Sequence, residues 1–155
     1  MAMAISAVTG IMVVAGPTSP ALAACSQEGC DNLDPQAQGC SSGARSMPEA
    51  IWVESANLGA GLELRYSPTC RAMWTRLTVD YSYDPTRGPI YVRVHRQEWN
   101  NQALAWQNSG VHTKTFNSTT GTTWTTMVGD YSSGDRTKAC WSFRTTSNFT
   151  CTGWQ

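Results

Sequence analysis

Beyond Pro48 the chain alternates apolar and polar side chains with a period of two. The alternation runs through Leu62-Glu63-Leu64-Arg65-Tyr66, Met73-Trp74-Thr75-Arg76-Leu77-Thr78-Val79 and Ile90-Tyr91-Val92-Arg93-Val94-His95. Successive side chains of a strand point to opposite faces, so each run predicts a half-buried strand. Leu62, Leu64 and Tyr66 are expected inward with Glu63 and Arg65 outward; Ile90, Val92 and Val94 are expected inward with Tyr91, Arg93 and His95 outward. Turn chemistry separates the runs: Ser67-Pro68-Thr69 follows the first, and Asp84-Pro85-Thr86-Arg87-Gly88-Pro89 follows the second.

Residues 111 to 155 are rich in Thr and carry Trp124, Met127, Tyr131, Trp141 and Phe143. That composition suits strands, because a branched Cβ fits a pleated surface. Cys140-Trp141-Ser142-Phe143-Arg144 and Asn148-Phe149-Thr150-Cys151 read as two strands around a Thr-Thr-Ser turn. With Ile51 to Glu54 included, about seven to nine strands are expected. Gln97 to Asn108, with Glu98, Ala103, Leu104 and Trp106, is the one stretch with room for a short helical turn. The pattern predicts an all-β domain over 49–155, a small antiparallel β-sandwich or barrel without internal repeats.

The first 23 residues differ in kind. They hold no charged side chain, carry an apolar stretch around Ile5 to Ala15 and end in Ala21-Leu22-Ala23, the small-x-small pattern of signal-peptidase cleavage. Residues 1–23 are therefore expected to be a signal peptide cleaved before Ala24, and Gly10, Gly16, Pro17 and Pro20 oppose a buried helix there. The first basic residue is Arg45, so the basic start usual in a signal is missing, which leaves two starts open, Met1 or a position upstream of it. Leu22-Ala23-Ala24-Cys25 also fits a lipoprotein box, in which Cys25 would be acylated and tether the protein to a membrane.

Cysteine parity favours free secretion over the lipid anchor. Cys25, Cys30, Cys40, Cys70, Cys140 and Cys151 make three disulfides only if Cys25 takes part. An exported chain meets oxidising surroundings, so a disulfide framework is expected. No C-x-x-C pair occurs, and His95 and His112 lack ligand spacing, so no zinc or other metal is expected. Proximity along the chain favours Cys140 with Cys151; the other four would then knot the N-terminal segment to Cys70. Residues 24 to 48 are Ser, Gly, Gln, Asp and Asn with three cysteines and almost no large apolar side chain. Such a segment cannot bury itself and is read as a disulfide-bound N-terminal arm.

Eleven Lys plus Arg balance eleven Asp plus Glu. Zero net charge excludes the footprint of a general nucleic-acid binder or a polybasic membrane anchor, and beyond the signal no apolar run approaches a membrane span. The balance is uneven along the chain. From 24 to 60, Glu28, Asp31, Asp34, Glu49 and Glu54 face only Arg45, while from 61 onward ten bases face six acids, giving −4 and +4. This asymmetry would let the arm dock on a basic body, and Asp31 and Asp34 are taken as candidate residues for contact with a partner. Asp31-x-x-Asp34-Pro35 near Glu28 offers oxygens for calcium, but the alternating Asp/Asn loop is missing, and bonding to its own turn accounts for such an Asp.

No G-x-S-x-G elbow, H-E-x-x-H motif or phosphate-cradling Gly loop occurs, so no catalytic or cofactor-binding residue is assigned. A glycan hydrolase would need two distant carboxylates to meet, for instance Glu98 and Asp130. Nine of the eleven bases are Arg, whose weakly hydrated planar head suits interfaces, and Arg65, Arg71, Arg76, Arg93 and Arg96 crowd the first strands. Trp99, within Glu98-Trp99-Asn100-Asn101-Gln102, and Trp154 sit in polar surroundings and are the tryptophans expected at an exposed contact.

The run Cys25-x4-Cys30-x3-Asp34-Pro35-Gln36-Ala37-x-Gly39-Cys40, followed by Leu62 to Arg76 through Ser67-Pro68-Thr69-Cys70-Arg71-Ala72-Met73-Trp74, resembles domain of unknown function 2690, the YjfA-like family. Thr-Met-Val at 126 to 128 and Cys-Thr-Gly-Trp at 151 to 154 are similar to the tail of longer members, whereas Ser41-Ser42-Gly43-Ala44-Arg45 departs from the family's Asp-Ala-x-Thr. The resemblance implies export from Gram-positive bacteria, mainly actinobacteria, together with disulfides, and implies no catalytic residue. The expectation is a secreted, non-catalytic adaptor that binds another exported or envelope protein, as small domains in secreted toxin or lectin assemblies do. A cell-wall glycan-binding module using Trp99 or Trp154 is the alternative, and a glycan hydrolase the third reading.

Overall fold

The computed structural model describes residues 23–55, 58–80, 88–118, 120–131 and 133–155. The expected signal peptide, apart from Ala23, and most of the expected turn at 84–89 lie outside these residues. All regular structure here is β apart from one 3-10 turn, Gln27–Cys30. The strands are β1 (Arg45–Ser46), β2 (Ile51–Ser55), β3 (Leu58–Ser67), β4 (Ala72–Val79), β5 (Ile90–Asn100), β6 (Ala105–Phe116), β7 (Gly121–Trp124), β8 (Val128–Gly129), β9 (Asp135–Phe143) and β10 (Thr150–Cys151).

They form two antiparallel sheets. In the first, β3 and β4 are central, β1 and β2 line the free edge of β3, and β7 and β8 line that of β4; the second runs β10-β9-β5-β6. The alternation along β4 and β5 explains how the sheets face each other. Leu62, Leu64, Leu77 and Val79 from the first meet Ile90, Val92, Val94 and Ala139 from the second, all of them buried. Across the gap, Thr75 donates its hydroxyl to the Arg93 carbonyl at 2.7 Å. Of the expected inward positions, Leu62, Leu64, Ile90, Val92 and Val94 are solvent-excluded, whereas Tyr66, at the end of its run, is only half-buried, with the Arg45 guanidinium 5.6 Å from its ring.

The other face of β4 carries Ala72 and Trp74, and there the arm forms a third layer. Cys30, Cys40, Cys70, Ala72, Trp74 and Met127 make a second buried cluster, packed by Leu33, Ala44 and Trp124. The cysteines pair as Cys25–Cys30, Cys40–Cys70 and Cys140–Cys151. The first closes a loop within the arm, the second ties the arm to the body, and the third joins the cross-strand pair of β9 and β10. The sulfurs of Cys25, Cys30, Cys40 and Cys70 gather within 4.8 Å of one another, all four in disulfides. Cys25, with its sulfur bonded to Cys30, has no thiol left for an acyl chain.

The structure replaces the helical turn allowed for Gln97 to Asn108 with strand. β5 and β6 extend the period-two pattern into a long hairpin that pairs Trp99 with Trp106 and Asn100 with Ala105. The Asn100 carboxamide oxygen accepts the amides of Gln102 and Ala103, both at 2.9 Å, and closes the turn. A side-chain cap on a four-residue turn supplies the local bonds that a helical turn would have made.

Candidate functional site

Period two carries past Val94 and turns Arg96 inward, where its side chain is 2% exposed. A buried guanidinium must find partners for all its N–H groups. Its Nε donates to the Ser109 hydroxyl at 2.9 Å and Nη2 to the Ser109 carbonyl at 3.1 Å. Nη1 donates to the Gly129 carbonyl at 2.8 Å and to Asp31 Oδ1 at 3.1 Å, and Nη2 also donates to Asp31 Oδ2 at 3.3 Å. Ser109 is available twice because of a bulge: Arg96 faces Gly110 and Gln97 faces Asn108, which leaves Ser109 as the extra residue of β6.

Asp31 holds the other end of this seam. Besides Arg96 it accepts the Gly129 amide at 2.6 Å and the Tyr131 hydroxyl. Burial, together with the bond to Asp31, pushes the Tyr131 phenol up to about 12. The Arg96 guanidinium lies 4.0 Å over the Tyr131 ring. Burial alone would lower the basicity of Arg96, but Tyr131 and Asp31 outweigh it and raise it. Space enforces the contact, since a Cβ on Gly129 would collide with the Gln27 carbonyl and the Glu28 amide. One turn later, Asp34 Oδ1 accepts the amides of Gln36 and Ala37 at 2.9 and 3.0 Å, and Oδ2 accepts the Trp124 indole N–H at 2.9 Å. Burial works against ionisation of Asp34, yet these donors and the Lys114 charge keep its carboxyl below 3.8.

Arg96 and Asp31, expected at a partner contact, instead meet each other inside the molecule, and Asp34, expected there too, separately binds Trp124, so both acids fasten the arm to the body. Arg65 and Arg76 lie on the outer face of the first sheet beside Glu63: Arg76 Nε bonds Glu63 at 2.6 Å, and Arg65 bonds Ser46 Oγ and the Ala44 carbonyl at 2.7 and 2.5 Å. Burial opposes the charge on Glu63, but Ser46 and Arg76 hold its carboxyl below 4.5. Arg71 is an exposed turn residue at φ 47° whose carbonyl accepts the Asp130 amide at 2.8 Å. Glu98 lies 3.5 Å from Arg96 Nη2.

The remaining candidates, Arg93, Trp99 and Trp154, converge on the outer face of the second sheet. Residues directly opposite one another share a face. Trp99 with Trp106, Gln97 with Asn108 and Arg136, His95 with Val111 and Lys138, and Arg93 with Thr113 and Cys140 are thus arrayed on one surface. No carboxylate occupies any of these positions. The C-terminal tail continues β10 along β9, with Gln155 and Thr137 exchanging both backbone bonds at 2.9 Å. Cys151 faces Cys140 and Gln155 faces Thr137, so the tail takes four steps against three of β9. The extra residue is a bulge at Gly153–Trp154, and the Trp154 ring lies over the same face.

There the side chains interleave. The Arg136 guanidinium sits 4.0 Å from the Trp106 ring and 4.5 Å from Trp154, while the Lys138 ammonium is 4.2 Å from Trp154. Arg93 covers Phe149 at 3.8 Å. His95 meets Trp154 edge-on at 5.2 Å, and Trp99 meets Trp106 at 5.5 Å. Arg136 is further fixed by two bonds to Gln97 Oε1, at 3.0 and 2.7 Å. Burial and the positive charges of Lys138, Arg93 and Arg136 lower His95 below 6.5, overriding its bond to Asn108. Among the described residues the exposed large hydrophobics are Trp99, Leu104, Trp106 and Val111, all on the β5–β6 hairpin. Sequence reasoning missed Trp106, Arg136 and Lys138. Their signal is cross-strand register, which reaches them only once β5 is known to pair with both β6 and β9.

A family model described as protein of unknown function (DUF2690) matches residues 28–140. No curated protein matches the chain, and neither does any solved structure.

Proposed function

The chain belongs to the DUF2690 family of proteins of unknown function, and from that premise we propose that it is an exported, non-catalytic binding module that attaches to a cell-envelope partner through the outer face of the β10-β9-β5-β6 sheet. Its disulfides fit an oxidising environment. The observation that carries the reading is the confinement of Trp99, Leu104, Trp106 and Val111 to one hairpin, beside a row of cations stacked on aromatic rings. Exposed Trp and Arg clustered on a well-packed face is the composition of interaction hot spots. The adaptor role expected of the arm and all five arginines narrows accordingly. Asp31, Asp34 and Arg96 fasten the arm, and this sheet face is left as the working surface.

The test is sedimentation of the labelled, oxidised protein with envelope material from Gram-positive cells. Trp99→Ser with Arg136→Ser should abolish co-sedimentation. Arg65→Ser with Arg76→Ser, on the opposite sheet, should leave it intact. Equal binding by both double variants, no binding by the unaltered protein, or release of reducing sugar from the envelope would overturn the proposal.

A further inference from the structure

The outer face of the second sheet alternates two chemistries at close range. Aromatic rings are supplied by Trp99, Trp106, Trp154 and Phe149, and positive charges by Arg93, Arg136 and Lys138. Two positions apart on one strand, Arg136 and Lys138 stand about 6.7 Å from each other along β9, and cross-strand neighbours are about 4.8 Å away. Neighbouring charges and rings thus lie at the spacing of a sugar unit. The strand positions that make up the face carry no acid. Glu98 and Asp135 face each other in the β5–β9 ladder, on the opposite side, and the Glu49 carboxylate lies beside Gly153 of the tail.

We infer that this face takes an anionic glycan polymer of the cell wall, with sugar rings lying against the tryptophans and their acidic substituents against Arg93, Arg136 and Lys138. The inference rests on the binding-module reading and supplies its ligand. An uncharged glycan would use the rings and offer no anion to Arg93, Arg136 and Lys138, whose partners within the protein are neutral. An acidic polypeptide would use the cations and offer no ring to the exposed Trp99 and Trp106. A ligand with ring and charge in each unit satisfies both. The disulfide-bound fold suits an extracytoplasmic polymer rather than a nucleic acid. The guanidinium of Arg136, clamped by Gln97 and sandwiched between Trp106 and Trp154, is held in position before the ligand arrives. Arg held this way loses little freedom on binding an oxyanion.

The experiment is titration of the full oxidised protein with polygalacturonate as probe, beside dextran, poly-glutamate and oligo-deoxythymidine at low salt. Saturable binding to polygalacturonate, at least about tenfold tighter than to the other three, is expected. Trp106→Ala and Lys138→Ala should each weaken it about tenfold, with unchanged melting temperature. Only Lys138→Ala should flatten the salt dependence, by about one unit of log K against log salt. Binding to dextran as tight as to polygalacturonate would overturn the inference, as would an equal preference for poly-glutamate or for the oligonucleotide. Failure of all four probes while envelope sedimentation persists overturns the ligand class alone; loss of sedimentation overturns the binding-module reading as well.

Discussion

Asp31 of the arm accepts both terminal nitrogens of the Arg96 guanidinium, across 65 positions of sequence, and so joins a polar leader to the inside of the sandwich. Arg96 is buried and Asp31 is its anionic partner. Removing one member of a buried pair leaves the other charge uncompensated, which costs about 3–5 kcal/mol. Asp31→Ala should therefore destabilise the protein by about that much in urea titration. Asp34→Ala, which loses two turn bonds and one indole bond at a more open site, should cost about 1–2 kcal/mol. Equal effects would show that Arg96 does not depend on Asp31.

Gly129 has a spatial role in the same seam. A side chain there would displace the backbone at Gln27 and Glu28. Gly129→Ala should cost about 1–3 kcal/mol and raise hydrogen exchange at the Gln27 and Asn32 amides, which bond the Cys70 and Met127 carbonyls at 2.8 and 3.0 Å. A variant as stable as the parent, with those amides protected, would contradict the fit.

The fold was legible where one periodicity governed it. Alternation through Leu62–Tyr66 and Ile90–His95 located the inward rows, and continued by one step it places Arg96 inward as well. That step was obscured because charge argues for solvent, while Asp31, the group that makes burial tolerable, comes from a segment without periodicity. The hairpin at Gln97 to Asn108 was illegible for a local reason: Ala103 and Leu104 suit a helix, and the Asn100 cap that closes the turn becomes decisive only when Trp99 can meet Trp106. The proposed contact face was half legible. Trp99, Trp154 and Arg93 stood out by their polar surroundings or strand position, whereas Trp106, Arg136 and Lys138 join them only through pairing between distant segments.

Cross-link lengths order the disulfide contributions. Cys40–Cys70 spans 30 positions and Cys140–Cys151 spans 11. In the chain-entropy account these loops are worth about 3.6 and about 2.8 kcal/mol. Cys40 and Cys70 also sit at 0% exposure under the arm. The double Ser variant of Cys40 and Cys70 should therefore lose more stability than that of Cys140 and Cys151, and chemical denaturation of the two checks the order. The reverse order would show that the arm contributes little to the body.

Histidine protonation gives a pH dependence of definite sign. Burial lowers both His95 and His112 below 6.5, aided at His95 by Lys138, Arg93 and Arg136, and at His112 by Arg96 against the pull of Asp31. The unfolded chain then takes up protons before the folded one, so stability is full above 6.5 and falls as pH drops through 6.5 towards the folded values. Denaturation at pH 7.5 and 5.0 should show this loss, and His95→Gln with His112→Gln should shrink it. Asp34 and Glu63 act below their ordinary values of 3.8 and 4.5, outside that window. A stability that rises on acidification to pH 5.0 would contradict the assignment.

The central claim, that the outer face of the second sheet is the working surface, is tested most directly by nuclear magnetic resonance of the tryptophan indole N–H groups during addition of solubilised envelope polymer. The account predicts that the signals of Trp99, Trp106 and Trp154 move while that of Trp124, bonded to Asp34 on the far side of the sandwich, stays in place. Movement of the Trp124 signal alone, or of none of the four at polymer concentrations that saturate sedimentation, would contradict it.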